Sequence, residues 1–280
     1  MRARLAMLMI ALAMAAAGCG IKNEPQKNKE PEPKQEVPAE KAGKQASDAV
    51  KEKNNQSKAP AESKPEYRLN DAVWSIKPID DKAEKKVVLV TIDDAPDKHA
   101  VDMAKTLKKL NVPAIFFVNG HFLDSEDGQK KLKEIHDLDF VIGNHTYSHA
   151  SLPDLSESKQ KEEILKVNEQ IEKAIGMKPS FFRAPFGQNT EYSRELAKKE
   201  GMTLMNWTYG YDWNKEYMNK DAIENIMVNA PELQDGANLL MHDREWTDAA
   251  LEGIIKGLEK KGYKFADPKR IQGYHGDMGE

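Results

Sequence analysis

Val87-Val88-Leu89-Val90-Thr91-Ile92-Asp93-Asp94 (VVLVTIDD) is an apolar, largely β-branched run that ends on two carboxylates. Such a run reads as a strand. The segment after it, Lys98 to Leu110, places Val101, Ala104, Leu107 and Leu110 on one stripe and reads as a helix. The same alternation continues. Strands are expected at 113–118, 140–142, 180–182, 202–207, 237–241 and 263–266. Helices are expected at 128–136, 156–175, 191–200, 220–229 and 247–261. Strand, helix, strand repeated in this way means a parallel sheet with crossover helices. A doubly wound sheet and a closed barrel both satisfy that alternation.

The polar residues choose between them. Asp93 and Asp94, His145 and His149, Arg183, Asp212 and His242 each follow a different apolar run. An open sheet concentrates its chemistry around one switch point, whereas a barrel gathers all its C-terminal strand ends on one face. The expected fold is therefore α/β, a distorted (β/α) barrel of about seven parallel strands. No glycine-rich phosphate loop follows the first strand, which argues against a nucleotide cofactor.

Those residues also define a chemistry. A hydrolytic zinc takes three protein ligands and leaves one position open for water. His145 and His149, two of only seven histidines in 280 residues, supply two imidazoles, and Asp93 or Asp94 supplies a carboxylate. The other carboxylate is then free to take a proton from the bound water. His242, on a separate strand end, is the candidate acid for the leaving group. Arg183 is placed to pair with the free carboxylate and orient it.

Five stretches in order, TIDDAP (91–96), HTYSH (145–149), RAPFG (183–187), YGYDW (209–213) and LMH (240–242), resemble the motifs of the polysaccharide deacetylase family with the NodB-type domain. The resemblance covers about 87–267. It implies a metal-dependent hydrolase that removes acetyl groups from polysaccharides, with a divalent ion, Zn2+ or alternatively Co2+. Asp93 would be the general base, and Asp94, His145 and His149 the metal ligands. Arg183 would orient Asp93, Asp212 would tune the acid His242, and Phe186 would help bind the oxyanion through its backbone. Trp213 and Leu240 would line the acetyl pocket. Three positions depart from the family pattern. Ala95 stands for a glycine, Phe186 for a common tyrosine, and Tyr209 for an aspartate, while the ligands, base and acid are all kept.

The N-terminus adds a location. Arg2 and Arg4 precede an apolar run, Leu5–Ala17, shorter than the roughly 20 residues a helix needs to span a bilayer. Residues 1–18 read as an export signal. The chain's single cysteine, Cys19, follows Ala16-Ala17-Gly18, an arrangement that resembles a bacterial lipobox, with lipid carried on the cysteine. Residues 19–66 are rich in Lys, Glu, Pro, Gln and Ser with few large apolar side chains, and are expected to form a disordered tether. The catalytic domain then occupies 67–280. A formal net charge of −4 gives no support for nucleic-acid binding. The expected protein is a monomer, lipid-anchored on the outer face of a bacterial cell membrane. Its expected substrate is an acetylated wall polymer, with peptidoglycan N-acetylglucosamine ahead of chitin oligomers, xylan or an exopolysaccharide. A silent carbohydrate-binding module is the rival from another class.

Overall fold

A computed structural model describes residues 64–276. The expected export signal, Cys19 and the expected tether as far as residue 63 lie outside the described residues. So does the end of the chain, 277–280.

The run VVLVTIDDA forms a single nine-residue strand. After a short antiparallel hairpin, β1 (Tyr67–Asn70) and β2 (Ser75–Pro78), comes β3 (Val87–Ala95), whose side chains alternate between two cores. Val88, Val90 and Ile92 face outward into a helix-covered core. They pack there with Met103, Ala104 and Leu107 of α1 (Ala100–Lys109) and Leu251, Ile254 and Leu258 of α6 (Glu245–Lys260). Val87 and Leu89 face inward, where they meet Ile115, Phe117, Val141, Phe181 and Met205. The hairpin packs Tyr67 and Ile76 against the same inner cluster, beside the N-terminal ends of the strands.

The remaining elements are β4 (Ala114–Val118), α2 (Glu126–Asp137), β5 (Val141–Asn144), α3 (Glu157–Ile175), β6 (Phe181–Phe182), α4 (Glu191–Lys199), β7 (Thr203–Leu204), α5 (Lys220–Asn229), β8 (Ala237–His242) and β9 (Lys264–Phe265). All strands of the main sheet pair in parallel, in the order β7-β6-β5-β4-β3-β8, with β9 against the start of β3. That is a parallel half-barrel of seven strands with helices outside, the distorted (β/α) barrel expected from the sequence.

The distortion is local. Beyond β7 the chain leaves the sheet and meets β8 through one isolated bridge, Tyr209 with Leu239. Around that bridge, Thr208 N donates to Asn238 O and Leu240 N to Tyr209 O, each at 2.8 Å. Helix ends follow local chemistry. Ser125, Ser156, Thr190 and Asn219 side chains each accept a first-turn amide, and Gly176 closes α3 in a left-handed conformation (φ 75°).

Candidate active site

The C-terminal strand ends do converge. Asp93 and Asp94 end β3, His145 follows β5, Arg183 follows β6, and His242 ends β8 beside Asp212. Adjacent strand residues ordinarily point to opposite faces, yet both carboxylates turn to one site. The cause is a bulge. Between Ile92 and Ala95 the register against β4 shifts, and Asp94 takes a left-handed backbone (φ 61°). Ala95 itself is fully buried in the outer core, so its methyl is accommodated and the unusual conformation falls on Asp94.

Asp93 is buried and paired. Arg183 Nη1 donates to Asp93 Oδ1 at 2.6 Å and to Thr91 Oγ1 at 2.9 Å, while Nε and Nη2 donate to the carbonyls of Met205 and Asn206. The guanidinium is wholly buried, over the Phe117 ring at 4.2 Å. Gly143 makes room for that ring, since a Cβ there would lie 2.5 Å from it. A buried charge needs such pairing to be tolerated.

Asp94, His145 and His149 offer three ligand atoms all within 4.8 Å of one another. Asp94 Oδ1 lies 3.9 Å from His145 Nε2 and 3.6 Å from His149 Nε2. Tetrahedral zinc with ligands at about 2.0–2.2 Å sets them roughly 3.4 Å apart, so this donor set fits a divalent ion. His145 Nδ1 sits 2.8 Å from the carbonyl of Arg183. As donor there, Nδ1 carries the proton and Nε2 keeps its lone pair toward the site. Burial pushes the His149 imidazole down, and the neighbouring His145 adds to the shift, so the ring favours its neutral, ligating form. Burial would raise the Asp94 carboxyl, but the charges of His145, His242, His149 and Arg244 outweigh it and hold it below its ordinary value.

On the other side, His242 Nδ1 lies 2.7 Å from Asp212 Oδ1. Asp212 Oδ2 accepts from the His242 amide and the Thr247 hydroxyl, and its carbonyl accepts from Trp246 Nε1. Burial alone would lower His242, but Asp212, with Asp93 and Asp94 behind it, raises it above the usual imidazole range. Gly210 permits this arrangement. A Cβ there would meet the Leu240 carbonyl at 2.5 Å, so only glycine lets 209–212 lie so close to β8.

Phe186 is 61% exposed with its ring against His149, and Trp213 is 44% exposed with its ring against His242. Leu240 points the same way along β8 as His242 but is buried. Tyr209 faces away from the site. Its hydroxyl donates to the Met227 carbonyl at 2.7 Å and its ring lies in the outer core, so this departure touches no catalytic candidate.

Sequence reasoning missed the residues that fasten the histidine loop. Asn119 Nδ2 donates to the His145 carbonyl, Asn144 Oδ1 accepts the Thr146 amide, and the Glu163 carboxylate takes both the amide and hydroxyl of Ser148. It also missed Arg244, whose Nη2 donates to Asp94 Oδ2 at 2.6 Å. Asn119 and Asn144 did carry a signal, each standing directly after or at the end of a buried run.

Residues 80–205 match the family described as polysaccharide deacetylase. The chain belongs to the polysaccharide deacetylase family. This is a family of hydrolases that act on acetyl groups and use a divalent metal, and the chain brings together a triad suited to one. It is 31% identical over 189 residues to a peptidoglycan-N-acetylglucosamine deacetylase of Bacillus cereus, covering 65% of this chain and 66% of that protein. Of another curated relative, from Bacillus subtilis and 31% identical, the match spans just under half the length (49%). Among solved structures, the peptidoglycan deacetylase PdaC of Bacillus subtilis is similar at 28% identity and a TM-score of 0.60, over 67% of this chain and 90% of that one. A pseudoenzyme of the same family from Bacillus anthracis is equally similar, at 28% identity and a TM-score of 0.60, over 66% of this chain and 64% of that one.

Proposed function

We propose that this polysaccharide deacetylase is an active, zinc-dependent enzyme. It removes N-acetyl groups from a wall polysaccharide, with peptidoglycan N-acetylglucosamine as the favoured substrate. The observation that carries the reading is the presence of two complete proton-moving units beside one candidate metal triad. Asp93 is held by Arg183 with its other oxygen 3.5 Å from His145 Nε2, and His242 is held by Asp212.

Asp94, His145 and His149 would hold the ion, which would supply acidification of water, lowering its pKa toward about 7. Asp93 Oδ2 accepts the proton of the attacking water while Arg183 keeps Oδ1 engaged. The acetyl carbonyl becomes tetrahedral, and the backbone amide of Phe186, whose ring packs against His149, is the donor we assign to its oxygen. His242 Nε2 then gives its proton to the amine nitrogen as the carbon–nitrogen bond breaks, and Asp212 compensates the imidazolium charge. Trp213 and Leu240 flank the methyl of the acetyl group. Acetate leaves and a free amine remains on the sugar.

The likeness to a pseudoenzyme favours a second reading, a silent carbohydrate-binding module. Retention of both Asp93 and His242 argues against it, since binding sugar needs neither. Export through residues 1–18, lipid on Cys19 and a tether as far as 66 would put the monomeric domain on the outer face of a bacterial membrane, within reach of the wall.

The test is acetate release from purified peptidoglycan and from N-acetylglucosamine oligomers. Wild-type protein is expected to release acetate, to stop in chelator and to recover with Zn2+. Asp93→Asn is expected to lose about 10²–10⁴-fold in rate while still binding zinc. No release from any acetylated polymer with zinc supplied would return the protein to the silent class.

A further inference from the structure

Arg244 stands at the rim of the site with no part in the proton transfers proposed above. Its Nη2 donates at 2.6 Å to Asp94 Oδ2, the carboxylate oxygen other than the one nearest the histidines. Its Nη1 donates at 3.0 Å to the carbonyl of Asp243. Asp243 is itself clamped. Its amide donates to the Asp93 carbonyl at 3.1 Å, and its buried carboxylate accepts the amides of Lys98 and His99 at 3.0 and 2.6 Å. These bonds fasten the chain after β8 to the chain after β3, at the point where Asp93 pairs with His242. The guanidinium therefore reaches Asp94 from a fixed base.

We infer that Arg244 is a positioning residue for the metal centre. It holds Asp94 Oδ2 so that Oδ1 alone faces His145 and His149. The inference rests on the reading that this triad binds a divalent ion. Two effects of the guanidinium oppose each other. Its positive charge repels a cation, and its hydrogen bond orients the carboxylate that binds one. The geometry decides for orientation, because Arg244 occupies the oxygen that the histidines do not face and need not move when Oδ1 is engaged. The bulge at left-handed Asp94 turns its carboxylate to the site, and Arg244 fixes which of the two oxygens faces the histidines. Ligating carboxylates are commonly held this way, and loss of such a partner typically weakens metal binding about 10–100-fold.

The experiment is a zinc titration of chelator-stripped protein against a chromophoric competitor, with thermal unfolding in chelator alongside. Arg244→Met is expected to bind zinc about 10–100-fold more weakly than wild type. Arg244→Lys should recover part of that loss, and the unfolding midpoints in chelator should coincide, because the side chain is 38% exposed. Zinc binding by Arg244→Met as tight as wild type, or tighter, would overturn the inference. So would a lysine variant no better than the methionine one, or weaker binding that only follows a lowered midpoint. His149→Ala separates the two layers of argument. If it binds zinc as well as wild type does, the triad reading fails and this inference falls with it. If it alone loses zinc while Arg244→Met does not, only the inference falls.

Discussion

The two halves of the site are built by different means. On the metal-facing half, backbone conformation does the aiming. Asp94, Thr146, His149 and Phe186 all hold positive φ, four of the seven non-glycine residues that do so among those described. On the opposite half His242 and Asp212 are aimed by side-chain bonds. Asp212 takes hydrogen bonds from the imidazole, from the His242 amide and from Thr247. A left-handed non-glycine residue costs about 1–3 kcal/mol and persists only where its surroundings impose it. The histidine loop of the first half is thus held against strain by Asn119, Asn144 and Glu163, whereas the second half is a hydrogen-bonded unit on ordinary backbone. Cutting an anchor should cost the first half its stability, and should cost the second half its chemistry.

The largest effect is expected where Arg183 is cut. Arg183→Met leaves the Asp93 carboxylate buried without its partner, and breaking a buried pair in this way costs about 3–5 kcal/mol. Urea unfolding measures it. A loss within the range of an ordinary surface substitution would mean the metal-facing half does not depend on this anchor. Asp212→Asn should behave in the opposite way, leaving the fold and lowering kcat roughly 10²-fold. The pH profile supplies the sign. In the proposed mechanism His242 must be protonated to act as acid, and Asp212 raises its pKa, so activity is expected to fall as pH rises through that raised value. Removing the charge lowers the pKa and moves the basic limb of kcat to lower pH. A limb that stays in place or moves up would show that Asp212 does not set the acid.

How much of this was legible in the sequence differs between the halves in the same way. The chemical groups were legible because each is a distinctive residue at the end of an apolar run, and convergence of strand ends follows from the alternation itself. Conformation was not. VVLVTIDD gives no hint that Asp94 turns left-handed, because the bulge arises from the β3–β4 register. The stretch 202–207 reads as one long strand, yet β7 stops at Leu204. Beyond it the chain bends inward and turns the carbonyls of Met205 and Asn206 to Arg183. The β1–β2 hairpin passed unnoticed because four-residue strands carry too little periodicity to read. Arg244 was hidden for a related reason. It adjoins His242 by only two positions, but its partner Asp94 is 150 residues away.

The smallest effect gives the sharpest comparison. Thr146 lies between His145 and His149, fully buried, at φ 66°, with a hydroxyl that finds no hydrogen-bond partner. A β-branched residue is poorly suited to that conformation, and an unpartnered buried hydroxyl adds a desolvation cost. Everything that fastens Thr146 acts on its backbone. Its amide donates to Asn144 Oδ1, and its carbonyl accepts from the Gly120 amide and from Asn119 Nδ2. Thr146→Gly keeps all three bonds and removes both the strain and the stranded hydroxyl. Against this stands the greater freedom glycine gives the unfolded chain, about 0.5–1 kcal/mol. The balance predicts a protein more stable by about 1 kcal/mol in urea unfolding with chelator present, with zinc affinity changed only a few-fold because the anchors survive. A less stable variant would mean the conformation costs nothing here, and the two halves would then be built alike.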